Sequence, residues 1–201
     1  LNVAKYHSCW TWFGVTATML IKPNTGGAEM AYITKKKIAK SFHDVVLEKG
    51  FNRTSVTAIM DNANFRRQTF YDYFQDKYEL LTWFIDDTLA ETVEHNLNYL
   101  PWIDIIKLVC YELDANRRFY AECINTQHEI DITALVGNHL VALLTKLTND
   151  PTAQTAALIW LLCLGIAQSL THNIVASHPQ DYEILSQDAI TAIKLSLAIL
   201  N

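Results

Sequence analysis

The chain has 201 residues, half of them hydrophobic, which suits one or two globular domains with a real core and excludes a disordered tail. Its formal net charge of −5 excludes a uniformly basic nucleic-acid coat. The charge is divided: Met30–Leu81 holds nine Lys or Arg against six acids, a net +3, whereas Thr82–Asn201 holds five against fourteen, a net −9. A phosphate-facing module followed by an acidic module that stays off DNA gives such a split, because phosphate neutralisation supplies most non-specific affinity; random variation on solvated helices is the alternative. Cys9, Cys110, Cys123 and Cys163 are widely spaced without a C-x-x-C pair, and read as reduced core thiols of a cytoplasmic protein. The seven histidines fall at no metal-ligand spacing, so no metal site and no cofactor are expected.

In chain order, Ser8–Ile21 is an apolar, aromatic-rich run between Lys5 and Lys22, too short for the roughly 20 residues of a membrane span and followed by a turn-rich break rather than a cleavage pattern. Gly26-Gly27-Ala28-Glu29 before Met30 is compatible with a purine-rich, ribosome-binding-like stretch. Residues 1–29 are therefore read as an upstream extension, with Met30 as the start; mass spectrometry of the native N-terminus tests this, and a peptide containing Trp10 or Trp12 would contradict it.

Beyond Met30, glycine and proline are scarce and apolar residues recur at three- and four-residue steps, which predicts an all-α fold. Thr34 is the expected N-cap of a first helix burying Ile38, Phe42, Val45 and Val46, with Gly50 as its left-handed C-terminal residue. Ser55 caps a short second helix with Val56, Ile59 and Met60. After a break at Asn62-Ala63-Asn64, a third helix runs from Arg66 to Tyr73, so that 30–81 forms a helix-turn-helix domain. A fourth helix is expected over Asp76–Asn98, ended before Pro101. Further helices are expected over Trp102–Asp114, Arg117–Asn125, Ile132–Leu147, Thr152–Ala176 and Asp181–Leu200, making 82–201 a helical regulatory and dimerisation domain. The apolar stretch Ala156–Ile166, too short to cross a bilayer, reads as a core or subunit-interface helix.

A recognition helix must bury one face and offer polar groups to base edges and phosphates. Phe70 and Phe74, four residues apart, supply the buried stripe. Arg67, Gln68 and Thr69 are then the candidates for reading guanine, adenine and the thymine methyl. Lys77, at the start of the fourth helix, is either a phosphate ligand or a solvated lysine. Thr54 and Ser55 either touch phosphate or cap the second helix, and Lys35, Lys36 and Lys37 either reach the DNA or form a solvated face.

Thr54-Ser55-Val56-Thr57-Ala58-Ile59-Met60, then Phe65-Arg66-Arg67-Gln68-Thr69-Phe70-Tyr71-Asp72-Tyr73-Phe74, then Asp76-Lys77-Tyr78-Glu79-Leu80-Leu81 resembles the DNA-binding signature of the TetR family of regulators. The resemblance implies phosphate contacts from Tyr71 and Tyr73, a homodimer on a near-palindromic operator, and dimerisation through the last two helices. There Leu158, Leu161, Leu162, Gly165 and Ile166 with Ile190, Ile193, Leu197 and Leu200 form either the interface or core. Where the family has Gly-Val-Ser in the turn, this chain has Asn64-Phe65-Arg66. Asn tolerates the left-handed conformation, but Arg66 cannot cap a helix as serine does and is free to meet phosphate instead.

The Arg66-Arg67 pair and the Glu112-Leu113-Asp114 to Phe119-Tyr120 pattern resemble, more narrowly, TetR-type activators of a dihydroxyacetone kinase operon. This implies that the effector is sensed by a dihydroxyacetone-binding partner protein. The alternative is a repressor with its own ligand pocket, which Trp102, Tyr111, Phe119, Tyr120 and Trp160 either line or leave unlined as ordinary core, the commoner role of aromatics at helical spacing. Enzyme chemistry is not expected, since no nucleophile–base pair, phosphate loop or carboxylate–histidine cluster occurs at a meaningful spacing. A helical interaction module with a degenerate DNA-binding head is the remaining alternative.

Overall fold

The computed structural model describes residues 26–124, 130–148 and 152–200, and among them every regular element is a helix. The sequence-expected extension up to residue 25, with Cys9, lies outside the described residues, as do Asn125 and the side chain of Leu200. The chain divides into compact units at 1–33 and 34–201. The elements are α1 (Gly26–Lys49), α2 (Val56–Asn62), α3 (Arg67–Tyr71), α4 (Lys77–Thr92), a 3-10 turn (Glu94–Asn96), α5 (Trp102–Ala115), α6 (Arg117–Ile124), α7 (Ile132–Leu147), α8 (Ala153–Val175) and α9 (Tyr182–Leu200).

Several boundaries depart from the sequence expectation, two of them by more than two residues. Helix α1 begins at Gly26, so Thr34 lies inside it rather than at its N-cap. Ala28, Glu29, Met30 and Ala31 are good helix formers, and Glu29 in the first turn complements the helix dipole. The expected long fourth helix stops at Thr92. The Thr92 hydroxyl bonds back to the Thr88 carbonyl at 2.8 Å, Val93 is the C-cap (φ −100°, ψ −72°), and Asn96 Nδ2 donates to the Glu91 and Thr92 carbonyls at 3.0 Å each. The terminal carbonyls are thereby satisfied and the chain turns.

One buried cluster runs from Ile38, Phe42 and Val46 through Phe84, Ile85, Leu89, Val109, Leu113, Phe119, Tyr120, Leu140 and Leu144 to Cys163, Leu170 and Ile190. Phe42, Phe84 and Phe119 meet edge-on or tilted with centroids 4.9–6.4 Å apart. Helices α7 and α8 approach closely at Gly137, where a Cβ would lie 3.7 Å from that of Ala167 and 3.9 Å from the Leu164 backbone. Cys110 and Cys163 are buried free thiols whose pKa burial pushes up to about 12, and burial raises that of Cys123 further, so all three act as small apolar fillers.

Two ionic joints hold α4. Lys36 of α1 pairs with Asp87 and, at 2.8 Å, with Glu91; burial works against its ammonium, but the two carboxylates overcome this and raise its pKa. On the other side His139 of α7, 7% exposed, places Nδ1 2.7 Å from Glu94 Oε1 and Nε2 3.1 Å from Asp86 Oδ1. Ionised carboxylates only accept hydrogen bonds, so both contacts are satisfied together by an imidazolium. Burial opposes that charge and the hydrogen bonds and charge of Glu94 and Asp86 outweigh it, holding the His139 pKa above its ordinary value.

The apolar residues of α8 and α9 that the sequence left between interface and core are divided between the two. Ile166, Ile190 and Ile193 lie in the protomer's own core, on the same sides as Ile159, Cys163 and Leu170 of α8 and Leu185 and Ala189 of α9. Leu158, Leu161 and Gly165 face outward, joined by Ile184 and Leu195, while Leu162 and Leu197 are half-buried. The length argument against a membrane span also needs correction. Gln154–Val175 is a 22-residue helical stretch whose most apolar 18-residue window has mean hydropathy 1.6, enough to cross a bilayer by length and composition, although 44% of that window is buried against the bundle. The aromatic residues considered for a ligand pocket do not converge. Phe119 and Tyr120 are fully buried in the core, Tyr111 packs edge-on against Tyr182 at 5.5 Å, and Trp160 is 50% exposed.

Candidate nucleic-acid interface

The helix-turn-helix is built from local signals that agree with one another. Ser55 accepts a hydrogen bond from Ala58 N at 3.2 Å and caps α2. At the other end, Asn64 takes φ +56°, its N–H bonds to Asp61 O, and Phe65 N–H reaches Met60 O at 2.9 Å. This paired 5→2 and 6→1 arrangement satisfies the last carbonyls of α2, and Asn replaces glycine at the left-handed position. From α1, Ser41 Oγ donates to Ile59 O at 2.6 Å and accepts from Asn62 Nδ2 at 2.9 Å, fixing α2 against its neighbour.

Helix α3 is a five-residue rod, shorter at both ends than the expected Arg66–Tyr73. Arg66 occupies the N-cap position with no side-chain cap, as its chemistry requires. Phe70 is fully buried and Phe74 nearly so, their rings 5.7 Å apart, and Trp83 of α4 packs on Phe74 at 5.7 Å. Asp76 then caps α4, accepting from Tyr78 N and Glu79 N at 2.8 Å each, while Glu79 accepts from Gln75 N at 2.5 Å. The rod is therefore held from behind by aromatic packing and from its C-terminal side by a capped helix.

Its outer face carries Arg66, Arg67 and Gln68, all exposed, with Thr69 and Tyr73 half-buried and Tyr71 45% exposed. Arg67 Nη2 donates to the Tyr71 hydroxyl at 3.2 Å, with the guanidinium carbon 5.9 Å from that ring's centroid. These side chains offer donors and acceptors to solvent around the buried Phe70.

Three other candidates are engaged inside the protein. Lys36 is spent on Asp87 and Glu91. Thr54 is 3% exposed, its hydroxyl donating to Gly50 O at 2.9 Å, which puts it out of reach of a phosphate. Lys77 turns its ammonium onto the carbonyls of Phe51 (3.0 Å), Thr54 (3.3 Å) and Asn52 (3.5 Å), above the Phe51 ring at 4.5 Å, and so closes the α1–α2 turn. Lys35 is half-buried with its ammonium 5.3 and 5.6 Å from the ring centroids of Phe74 and Trp83, bracing the aromatic support of α3 by cation–π attraction. Ser55 remains exposed at the start of α2, and Lys37 is exposed on α1. Lys77's acceptors lie 23–26 residues away, so no local pattern announces its role.

Residues 43–82 match the family model described as bacterial regulatory proteins, tetR family. The chain is 42% identical over 88 residues to the HTH-type dhaKLM operon transcriptional activator DhaS of Lactococcus lactis subsp. lactis (strain IL1403), over 44% of this chain and 47% of that protein. It is 36% identical over 63 residues to the uncharacterized HTH-type transcriptional regulator YxbF of Bacillus subtilis (strain 168), over 31% of this chain and 17% of that one. These sequence matches thus span about half of the first relative's length and less than a fifth of the second's. Among solved structures, the dihydroxyacetone kinase operon activator DhaS superposes with a TM-score of 0.66 at 26% identity, over 84% of this chain and 97% of that one. A TetR transcriptional regulator from Rhodococcus sp. RHA1 gives a TM-score of 0.61 at 14% identity, over 84% and 99%, a likeness of fold alone.

Proposed function

The chain belongs to the tetR family of bacterial regulatory proteins, and on that premise we propose that it is a sequence-specific, cytoplasmic DNA-binding regulator that activates a dihydroxyacetone kinase operon. The observation that carries the DNA-binding part is α3, a short helix anchored by Phe70 and Phe74 whose solvent side, with its N-cap, presents Arg66, Arg67, Gln68, Thr69 and Tyr71. In the major groove Arg67 pairs bidentately with guanine and Gln68 with adenine, while Arg66, Tyr71, Tyr73 and Ser55 hold phosphates and set register.

Two copies associate through the outer faces of α8 and α9. Leu158, Leu161, Ile184 and Leu195 are large apolar side chains open to solvent there, beside a groove of about 430 Å³ lined by Leu161, Leu162, Gly165, Leu185 and Ala189. Two-fold symmetry then sets the recognition helices one DNA turn apart, roughly 34–36 Å, on a near-palindromic operator.

The dihydroxyacetone link rests on the likeness to DhaS. Sensing by a dihydroxyacetone-binding partner protein rests on that likeness; the alternative, a ligand held by the chain itself, has a cleft of about 890 Å³ bordered by Ile124, Ile132, Leu161, Leu164, Thr171 and His172 as its candidate place. An electrophoretic shift with DNA flanking the protein's own gene, repeated with Arg67→Ala, tests the first part. A retarded band that weakens with the variant is expected, and an unchanged band would refute the assignment to α3. Release of DNA by a small molecule with purified protein alone would overturn the partner-sensing reading in favour of a ligand-responsive repressor.

A further inference from the structure

Arg67 opens α3 and Tyr71 closes it, four residues later, so the two side chains stand one above the other on the same exposed face. The contact is specific. Arg67 Nη2 lies 3.2 Å from the Tyr71 hydroxyl oxygen, and the guanidinium carbon sits 5.9 Å from the ring centroid. Tyr71 is in turn fixed from behind: its ring meets Phe70 edge-on, 5.5 Å between centroids and 80° between planes, and Phe70 is fully buried. A chain of contacts therefore runs from the core, through Phe70 and Tyr71, to a guanidinium that otherwise has the rotamer freedom of a long exposed side chain.

Donor arithmetic makes this arrangement compatible with recognition. Arg67 has five N–H donors and gives one to the tyrosine oxygen, leaving a forked pair for a base edge. The hydroxyl accepts that bond and keeps its own proton to donate. We propose that Tyr71 is a positioning residue for sequence discrimination, holding the Arg67 guanidinium in its base-reading orientation while donating its hydroxyl proton to a backbone phosphate. This rests on the reading of α3 as the recognition helix. Pre-ordering Arg67 lowers the entropy lost on docking, so removing the hydroxyl costs discrimination at the base pair that Arg67 reads, on top of the uniform loss of its phosphate bond.

The test is a double-mutant cycle on DNA. Full-length wild type, Tyr71→Phe, Arg67→Ala and the double variant are titrated against an operator selected by the wild type from a randomised duplex pool, and against every single-base-pair variant of it. Tyr71→Phe keeps the ring and removes only the hydroxyl, and circular dichroism checks that all four proteins are folded. At the base pair where Arg67→Ala abolishes discrimination, Tyr71→Phe is expected to reduce it about threefold beyond any uniform loss, and to have no such effect once Arg67 is gone. A uniform weakening on all duplexes that adds fully to Arg67→Ala would overturn the proposal, leaving Tyr71 a phosphate ligand alone. Failure of the wild type to select any sequence would overturn the DNA-binding reading itself, a different result from a wild type that selects an operator without the coupling.

Discussion

Arg66 and Arg67 at the start of α3 stand exposed, whereas Lys36 of α1 and Lys77 of α4, equally basic in the sequence, are turned inward onto carboxylates and carbonyls. The contrast separates two uses of positive charge within one small module. On the proposed recognition face the cations keep donors for another molecule, and the apolar work is done by Phe70 and Phe74 behind them. On the scaffold side a cation joins segments distant in sequence: Lys36 ties α1 to α4, and Lys77 closes the α1–α2 turn against the start of α4. Changes on the first side are therefore expected to alter binding with little change in stability, and changes on the second side the reverse.

The largest effect that would sharpen this division comes from Phe70→Ala, which empties a fully buried ring site and is expected to cost about 3–5 kcal/mol in denaturant unfolding. Lys36→Ala leaves Asp87 and Glu91 without their cation. It is expected to cost about 1–3 kcal/mol, less than breaking a fully buried pair because Glu91 is 41% exposed. Asn64→Val places a β-branched residue at φ +56° and is expected to cost about 1–2 kcal/mol, read as a lowered melting temperature, while Asn64→Gly is tolerated. A stability loss from Arg67→Ala as large as that from Lys36→Ala would break the comparison, since an exposed side chain is expected to matter by no more than about 0.5 kcal/mol.

A smaller effect concerns pH. Because the folded-state pKa of His139 is raised above 6.5, its contribution to stability is fully present below that value and is lost as pH rises through the folded pKa. His43 works in the opposite sense: burial lowers its pKa, so folding disfavours its protonated form as pH falls. The melting temperature of wild type minus that of His139→Gln, followed from mildly acidic to mildly alkaline pH, isolates the first contribution. The difference is expected to shrink as pH rises, and a pH-independent difference would refute the ionic clamp on Asp86 and Glu94.

What could be read from the chain follows from how local each signal is. The caps at Ser55, Asn64 and Asp76 act within a few residues, and the Phe70 and Phe74 stripe repeats once per turn, so the helix-turn-helix was legible. Helix α7 has the expected limits because Asp131 caps it through Ala134 N. The end of α4 was not legible, because apolar spacing continues past Thr92 while the break depends on Asn96 reaching back to two carbonyls. The inward roles of Lys36, Lys77 and His139 depend on partners 23–55 residues away, and a lysine run looks the same in sequence whether its ammoniums meet phosphate or carboxylate. Which residues of α8 and α9 turn inward stayed open for a related reason: when a helix is apolar all round, periodicity does not say which side is inner.

The division between reading and scaffolding cations is tested most directly by the salt dependence of DNA binding. Removing one cation that neutralises a phosphate lowers the steepness of log K against log salt by about one. Arg66→Ala is expected to flatten the slope by that amount, while Lys36→Met and Lys77→Met, measured where each remains folded, are expected to leave it unchanged. An unchanged slope in Arg66→Ala together with a flattened one in Lys77→Met would contradict the account.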